Sequence, residues 1–385
     1  MKSEDFIYLD YNATTPVDER VVQEMLPYFT THFGNAASKT HALGWQAEAA
    51  VDKARKQIAS FINCEEGELV FTSGSTESCN LAIKGVFEKY KTKGNHIITV
   101  ATEHKAVLDT CTALEKQGAV FTYLSVSLEG LIDLDELKNS ITDKTILVCV
   151  MLANNETGVI QPIEQIAEIV HAHKSILFCD ATQAAGKMML DVNELGVDLL
   201  CLSAHKFYGP KGIGALYVRR KNPRVVLQAQ IDGGGHEHGL RSGTLNVPAI
   251  VGFGKACEIA QSEIWDNNTK LSALRAKIEH QLLDIEGVRI NGSTRYRLYN
   301  TANICFSGIK ADSLISKLNY KLCVAAGSAC TSALAQPSHV LKAMGLSEAD
   351  CYSSIRFSLG KYNTEPEIET TISLIKEMVE KHFTV

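Results

Sequence analysis

Three side chains that could do covalent or acid–base chemistry each follow a short apolar stretch of the chain. Asp180 comes directly after SILFC, where a carboxylate needs a cationic partner or several donors to offset its desolvation. Lys206 lies in AHKFYGPKG after LLCLS; such a lysine is usually a plain surface residue, but a partly desolvated amine can form an imine with an aldehyde. His104 lies just past HIITV, where a histidine is more often a helix cap than a catalyst. Their shared position makes them candidates for one site.

A turn rich in serine and threonine, SGSTES, follows another apolar stretch, ELVFT. The amides and hydroxyls of Ser75 and Thr76 would suit a phosphate, although an ordinary helix N-cap explains the same residues. A carboxylate, a lysine, a histidine and a phosphate turn together meet the requirements of pyridoxal phosphate, which needs an imine, a partner for its ring nitrogen, a stacking group and an anion site. NAD binding is disfavoured because SGSTES is not G-x-G-x-x-G.

Cys330 is the one cysteine in a loop-like sequence, AAGSACTSALAQPSHVL, among small and hydroxylated residues. The chain has 11 cysteines, and most of the others lie in apolar runs, where we interpret them as small core residues. No Cys-x-x-Cys pair is present, and the His-x-His pairs at 171/173 and 236/238 lack partners with zinc-type spacing, so we predict no metal site. Taken without the candidate cofactor residues, Cys330 is better explained as a thiol in a surface loop.

The elements that must position these residues follow a strand, helix, strand order. Seven short β-branched stretches between residues 68 and 218 alternate with amphipathic segments of helical length. This order predicts an α/β fold with a mostly parallel, seven-stranded sheet covered on both faces, in a large domain over residues 16–260. Ligands of such sheets bind beyond the carboxyl ends of the strands, where the candidate residues lie.

The rest of the chain predicts a smaller α+β domain, made of residues 1–15 and 261–385, that carries the cysteine loop at about residues 325–341. The pattern changes here from regular strand and helix alternation to one long helical segment and shorter strands. The candidates for strands and a last helix lie at 287–290, 302–307, 322–326 and 366–382.

The composition argues against several classes of protein. With 385 residues, 45% of them hydrophobic and 21% charged, the chain is an ordinary globular mixture. A net charge of -6 with both signs interspersed predicts no direct binding of nucleic acid. Because no apolar run reaches membrane-spanning length, and the start MKSEDF is too acidic for a secretion signal, we expect no membrane attachment and a cytoplasmic location.

Nine blocks of the sequence, taken in order from about residue 7 to 382, resemble one family of enzymes. The family is the class V, fold type I pyridoxal phosphate enzymes, and within them the IscS/NifS group of cysteine desulfurases. The blocks are YLDYNATTPVDERV, FTSGSTES, TEHKAVLDTC, NNETGVIQP, DATQAAGK, SAHKFYGPKGIGALY, GGGHEHGLRSGTLNVP, GSACTS and SSIRFSLG.

The resemblance implies a role for each matching residue. Lys206 would carry pyridoxal phosphate as an imine, Asp180 would pair with its ring nitrogen, and His104 would stack on the ring and assist proton transfer. Arg356 would bind the substrate carboxylate through two parallel N–H···O hydrogen bonds from its guanidinium. Thr244 would reach the phosphate of the neighbouring subunit, which implies a homodimer. Further implied contacts to the cofactor or substrate are those of Gln183 and Asn155 around the ring hydroxyl, and those of Ser75, Thr76, Ser203 and His205 with the phosphate.

The implied reaction converts L-cysteine to L-alanine and places the sulfur on Cys330 as a persulfide for an acceptor protein, such as a scaffold or a thiolation enzyme. Iron–sulfur cluster assembly is the leading expectation; tRNA thiolation and DNA phosphorothioation remain alternatives, because the chain ends at EMVEKHFTV without the scaffold-docking tail of IscS-type members. Two other functions also stay open. One is a selenocysteine lyase or another class V enzyme, which need not form a persulfide; the other is a non-enzymatic sulfur carrier or adaptor.

Overall fold

A computed structural model describes residues 6–326 and 336–383, and Cys330 lies outside these described residues. The strands are β1 (Ile7–Tyr8), β2 (Leu69–Thr72), β3 (His96–Val100), β4 (Val120–Leu124), β5 (Thr145–Met151), β6 (Ile176–Asp180), β7 (Leu199–Ser203), β8 (Gly214–Val218), β9 (Val288–Ile290), β10 (Thr301–Phe306), β11 (Leu322–Cys323) and β12 (Ser354–Ser358).

The helices are α1 (Glu19–Met25), α2 (Pro27–Thr30), α3 (Ala42–Ile62), α4 (Ser75–Tyr90), α5 (Lys105–Glu115), α6 (Leu134–Ser140), α7 (Ile163–Ala172), α8 (Val247–Leu283), α9 (Ala311–Leu318), α10 (His339–Ala343), α11 (Glu348–Tyr352) and α12 (Glu365–Phe383). Short 3-10 turns occupy Glu66–Glu68, Ala204–Lys206 and Glu237–Gly239. Across the described ranges, no helix is both long enough and apolar enough to cross a bilayer.

The large sheet has seven strands in the order β2-β8-β7-β6-β5-β3-β4. Strands β4, β3, β5, β6 and β7 pair in parallel, and β8 is antiparallel to both of its neighbours, β7 and β2. Six strands therefore run in one direction and one runs against them. The predicted α/β fold with a mostly parallel, seven-stranded sheet is confirmed.

Helices cover both faces of this sheet, which explains why its strands are continuous apolar runs. Successive residues of β3 point to opposite faces, so that Ile98 joins a core with α3, α7 and α8 while Ile97 joins a second core with α4 and α5. Every residue of β5, β6, β7 and β8 is buried.

A smaller, antiparallel sheet of order β12-β10-β9 lies with the short parallel pair β1-β11 around a third core. This core includes the second half of α8, together with α9 and α12. Helix α8 has 37 residues and passes residue 260 without a break, so the domain boundary at that residue stays a prediction. Strand β12 was not among the sequence-based strand candidates.

Candidate active site

A cavity of about 520 Å³ lies at the carboxyl ends of β3, β5, β6 and β7, and Arg356 of β12 contributes to its wall. Its volume falls in the range of roughly 300–1,000 Å³ that is usual for small-molecule sites. Ten of the predicted site residues line it, and their individual roles stay predictions: Ser75, Thr76, His104, Asn155, Asp180, Gln183, Ser203, His205, Lys206 and Arg356.

Lys206 ends the 3-10 turn that follows β7, and two backbone carbonyls hold its amine. Its Nζ donates to the carbonyl oxygen of Asn12 at 2.8 Å and to that of Ala13 at 2.9 Å. The segment that supplies them is fixed in turn, because the amide of Asn12 donates to the Ser358 hydroxyl at 3.0 Å. The N-terminal segment therefore sets the direction of the amine, a contribution that the sequence analysis missed.

Asp180 is the last residue of β6 and is only 5% exposed. Its Oδ1 accepts hydrogen bonds from the backbone amide of Thr182 at 2.9 Å, from the Thr182 hydroxyl and from the Cys201 thiol at 3.2 Å. Several neutral donors thus satisfy one oxygen of the carboxylate, which is one of the two solutions expected for a carboxylate at this position. They do so without cancelling its charge.

Three potential metal ligands, Cys79, Asp180 and Cys201, lie within 4.8 Å of one another in the described part of the chain. Zinc would require deprotonated thiols. Burial, and then the neighbouring Cys79, raises the pKa of Cys201 well above its ordinary value. The Cys201 thiol is moreover a donor to Asp180, so this cluster is explained as hydrogen-bonded thiols.

The surroundings of the two histidines of the cavity determine their protonation. His104 caps α5, and its Nδ1 accepts the amide hydrogen of Ala106 at 3.1 Å, which places the proton of the neutral ring on Nε2. Burial lowers the pKa of His104. Burial, and then the nearby lysine ammonium groups, Lys206 first, lower the pKa of His205 to about 4. Both rings are therefore neutral at pH 7.

The turn between β2 and α4 has no side-chain cap, so the prediction that it binds a phosphate remains open. The N-cap of α4 is Gly74, with no capping side chain, so Ser75 and Thr76 are the first two residues of the helix. Their amides belong to the group that has no partner within a helix. The Ser75 hydroxyl instead contacts the hydroxyl of Thr182, which in turn donates to Asp180.

Arg356 lies in the middle of β12 and is 2% exposed. Its Nη2 forms an ion pair with Asp10 at 2.6 Å, and its Nη1 donates to the carbonyl oxygen of Asn155 at 2.9 Å. Its Nε has no hydrogen-bond partner among residues 6–326 and 336–383. The guanidinium is thus held rigidly at the cavity wall.

One predicted site residue of the described ranges is not brought to this cavity, and another lies outside those ranges. Thr244 is exposed and does not line it, and Cys330 is outside the described residues. The cavity also has walls that sequence reasoning missed, including Asn12, Thr182 and Lys211. The motif blocks YLDYNATTPVDERV, DATQAAGK and SAHKFYGPKGIGALY contain them, so a motif comparison could have found all three.

The chain belongs to the class-V aminotransferase family, which matches it over residues 7–370. The cysteine desulfurase IscS of Actinobacillus succinogenes is 55% identical over 377 residues, which cover 97% of this chain and 93% of that protein. The cysteine desulfurase IscS of Haemophilus influenzae is 54% identical with the same coverage. Within the family, the chain is a member of the IscS/NifS group of cysteine desulfurases.

Solved structures agree with this assignment. A NifS-like protein superposes with a TM-score of 0.91 and 38% identity, covering 97% of this chain and 99% of that one. SspA in complex with cysteine gives a TM-score of 0.82 at 38% identity, covering 93% and 99%. DndA from Streptomyces lividans gives 0.78 at 38% identity, covering 91% and 99%.

Pyridoxal phosphate is the cofactor of this family, and the residues of the cavity fit it. A lysine amine and a buried carboxylate stand at the carboxyl ends of neighbouring strands, as an aldehyde and a ring nitrogen require. The start of α4 offers amides and hydroxyls to a phosphate. Gly214 keeps this turn close to the sheet, because a Cβ there would lie 2.7 Å from the Cα of Gly74.

Proposed function

We propose that this protein converts L-cysteine to L-alanine and passes the sulfur, as a persulfide on Cys330, to an acceptor protein. The observation that carries the proposal is the convergence of Lys206, Asp180, His104 and Arg356 on one cavity that faces the start of α4. The conversion of an amino acid needs four groups: an amine, a buried carboxylate without a cationic partner, a neutral imidazole and a guanidinium.

Arg356 and Asn155 bind and orient the substrate in this proposal. The guanidinium of Arg356 attracts the carboxylate of cysteine, and its contacts with Asp10 and Asn155 keep it from turning away. Ser75, Thr76, Ser203 and His205 would hold the cofactor phosphate. With the carboxylate and the phosphate both bound, Lys206 could reach the α-carbon of the substrate.

When bound, pyridoxal phosphate supplies an electron sink that stabilises negative charge on the amino acid. Asp180 would pair with the ring nitrogen, because the carboxylate is buried and its donors are neutral. The Nζ of Lys206 takes and returns the proton of the α-carbon. His104 would stack on the ring, and its Nε2 carries a proton that it can donate.

The sulfur step balances without an external oxidant or reductant. The thiolate of Cys330 forms a bond with the substrate sulfur, and the bond between that sulfur and the β-carbon breaks. The electron pair stays on the carbon, which takes up a proton and becomes the methyl group of alanine. The sum is one thiol and one cysteine giving one persulfide and one alanine.

The acceptor, the assembly and the location belong to the same proposal. The IscS relatives support iron–sulfur cluster assembly as the pathway, ahead of tRNA thiolation or DNA phosphorothioation. The exposed Thr244 supports a homodimer in which each subunit completes the phosphate site of the other. Ten cysteines of the described ranges are free thiols, the state that a reducing cytoplasm maintains.

Turnover with labelled cysteine tests the proposal. Purified protein given L-[35S]cysteine should release alanine and carry a label on Cys330 that a reductant removes. Cys330→Ser should lose both, whereas the control Cys323→Ser should keep both. If Cys330→Ser released sulfide at the normal rate, a lyase without a persulfide would replace this proposal. A colourless protein that forms no alanine would point to a carrier.

A further inference from the structure

Lys187 is a buried lysine that the proposed reaction does not use. It is 8% exposed and ends the DATQAAGK turn after β6. The preceding Gly186 has a φ of +72°, and a Cβ there would lie 2.5 Å from the Cβ of Phe207. The turn therefore packs directly on Phe207, next to Lys206, and this packing fixes the backbone from which the Lys187 side chain starts.

The Lys187 amine holds the side chain of Gln183 in one orientation. Its Nζ donates to the carbonyl oxygen of Gln183 at 2.9 Å and to the side-chain Oε1 at 3.2 Å. Because the carbonyl oxygen of Asn12 can only accept, the amide of Gln183 turns its nitrogen to Asn12 and its oxygen toward the Lys187 amine. The nitrogen, Nε2, then points the other way and donates to the carbonyl oxygen of Asn12 at 2.9 Å.

The same carbonyl oxygen connects this arrangement to the amine of the active site. The oxygen of Asn12 also accepts from Nζ of Lys206, at 2.8 Å. Lys187, Gln183, Asn12 and Lys206 thus form one hydrogen-bonded series, of which the last three line the main cavity. The amide nitrogen of Gln183 carries two hydrogens, and Asn12 takes one of them.

Burying Lys187 is unfavourable, and the hydrogen bonds to Gln183 offset part of that cost. Burial, and then the positive charges of Lys206 and Arg356, lower the pKa of Lys187 to about 7. Lys187 and Lys206 also border a common small cavity of about 20 Å³, together with Tyr11, Tyr208 and Tyr299. A methionine would avoid the desolvation but would leave Oε1 of Gln183 without this donor.

We propose that Lys187 is a positioning residue, which fixes the Gln183 amide so that its nitrogen is presented to the oxygen substituent on the ring of pyridoxal phosphate. The inference rests on the proposed function, since that places the cofactor in this cavity. Lys187 acts through Gln183 and touches neither substrate nor cofactor.

A double-mutant cycle on the full-length holoenzyme tests this role. The variants are Lys187→Met, Gln183→Leu and the pair, and the readouts are the dissociation constant of pyridoxal phosphate and the visible absorbance maximum. Each single change should weaken binding about tenfold, as the loss of one hydrogen bond does. The pair should bind no more weakly than Gln183→Leu alone and should show the same absorbance maximum.

Additive losses in the pair, or unchanged binding in Lys187→Met, would overturn the proposal. Lys138→Met, a change of an exposed lysine, is the matched control and should bind the cofactor normally. If circular dichroism shows that Lys187→Met does not fold, Lys187→Leu takes its place in the cycle with the same two criteria. The readouts need no cysteine, so a protein that binds the cofactor but forms no alanine would refute the proposed function and leave this inference standing.

Discussion

At the scale of single residues, the fold removes the Asp180 carboxylate from water and satisfies it with neutral donors. Asp180 is 5% exposed, and the donors to its Oδ1 are an amide, a hydroxyl and a thiol. A lysine or arginine partner would have satisfied the same oxygen, but its positive charge would have neutralised the carboxylate. We therefore expect the carboxylate to pair with the ring nitrogen of the cofactor.

Replacing Asp180 by Asn tests whether this charge matters. The amide keeps the size of the side chain but loses its charge, so we expect kcat to fall about 10²–10³-fold at saturating cofactor. Thr182→Ser, which keeps the hydroxyl donor, is the control and should stay near the wild-type kcat. Steady-state alanine formation measures both, and an Asp180→Asn variant with wild-type kcat would contradict the assigned role.

The sequence predicts some of these residues better than others, for a physical reason. Asp180 and Lys206 follow apolar strands, so their position could be deduced from the pattern. The carbonyl oxygens of Asn12 and Ala13, which hold the Lys206 amine, leave no comparable signal. A backbone carbonyl is the same in every residue, and only the folded chain shows which one is used.

At the scale of the elements, the anion site depends on a close approach between two strands and a helix. Strand β8 begins at Gly214, which pairs with Thr72 at the end of β2 and faces the turn before α4. A Cβ at Gly214 would lie 2.4 Å from the carbonyl oxygen of Leu202 and 2.7 Å from the Cα of Gly74. Both neighbours are backbone atoms, which cannot move aside without shifting the turn.

Gly214→Ala should therefore damage both the stability and the anion site. We expect a loss of about 1–3 kcal/mol in the free energy of unfolding, as for other overpacked positions, together with weaker binding of pyridoxal phosphate. Gly67→Ala is the matched control, because the nearest atom to its Cβ would be Arg220 Nη1 at 3.6 Å. Thermal unfolding and cofactor titration measure the two effects; an unchanged Gly214→Ala would refute the argument.

The elements were predicted where burial leaves a pattern and missed where it does not. The strands of the large sheet are apolar runs because both of their faces are covered. Strand β1 has two residues, too few to show any period. Strand β12, SIRFS, is fully buried but polar, because partners distant in the sequence satisfy it: Asn291 donates to Ser354, and Arg356 pairs with Asp10.

At the scale of the whole molecule, the cavity is assembled from distant parts of the chain. The large sheet supplies Asp180 and Lys206, the N-terminal segment supplies Asn12, and β12 supplies Arg356. Helix α8 runs through the cores of both sheets and is about 55 Å long at 1.5 Å per residue. Local patterns could indicate these parts but not their juxtaposition, because the contacts join residues hundreds of positions apart.

Complementation between inactive variants tests the proposed homodimer with shared sites. Lys206→Ala and Thr244→Asp should each be inactive, since one lacks the amine and the other repels the partner's phosphate. A mixed dimer contains one site with an intact Lys206 and an intact Thr244 from the partner, so randomly paired subunits should recover about a quarter of wild-type activity. Sedimentation should give twice 42.1 kDa. No recovery on co-expression, or a monomer in solution, would contradict the proposal.

The pairing of the first strand with the far end of the chain also decides when the enzyme becomes competent during its synthesis. Strand β1 leaves the ribosome first, yet it pairs with β11, and Asn12 donates to Ser358, 346 residues further on. At roughly 5–20 residues per second, translation needs on the order of tens of seconds to reach that serine. Until then the Ser358 hydroxyl cannot fix the Asn12 amide, so we expect the segment that holds the Lys206 amine to reach its final position late in synthesis.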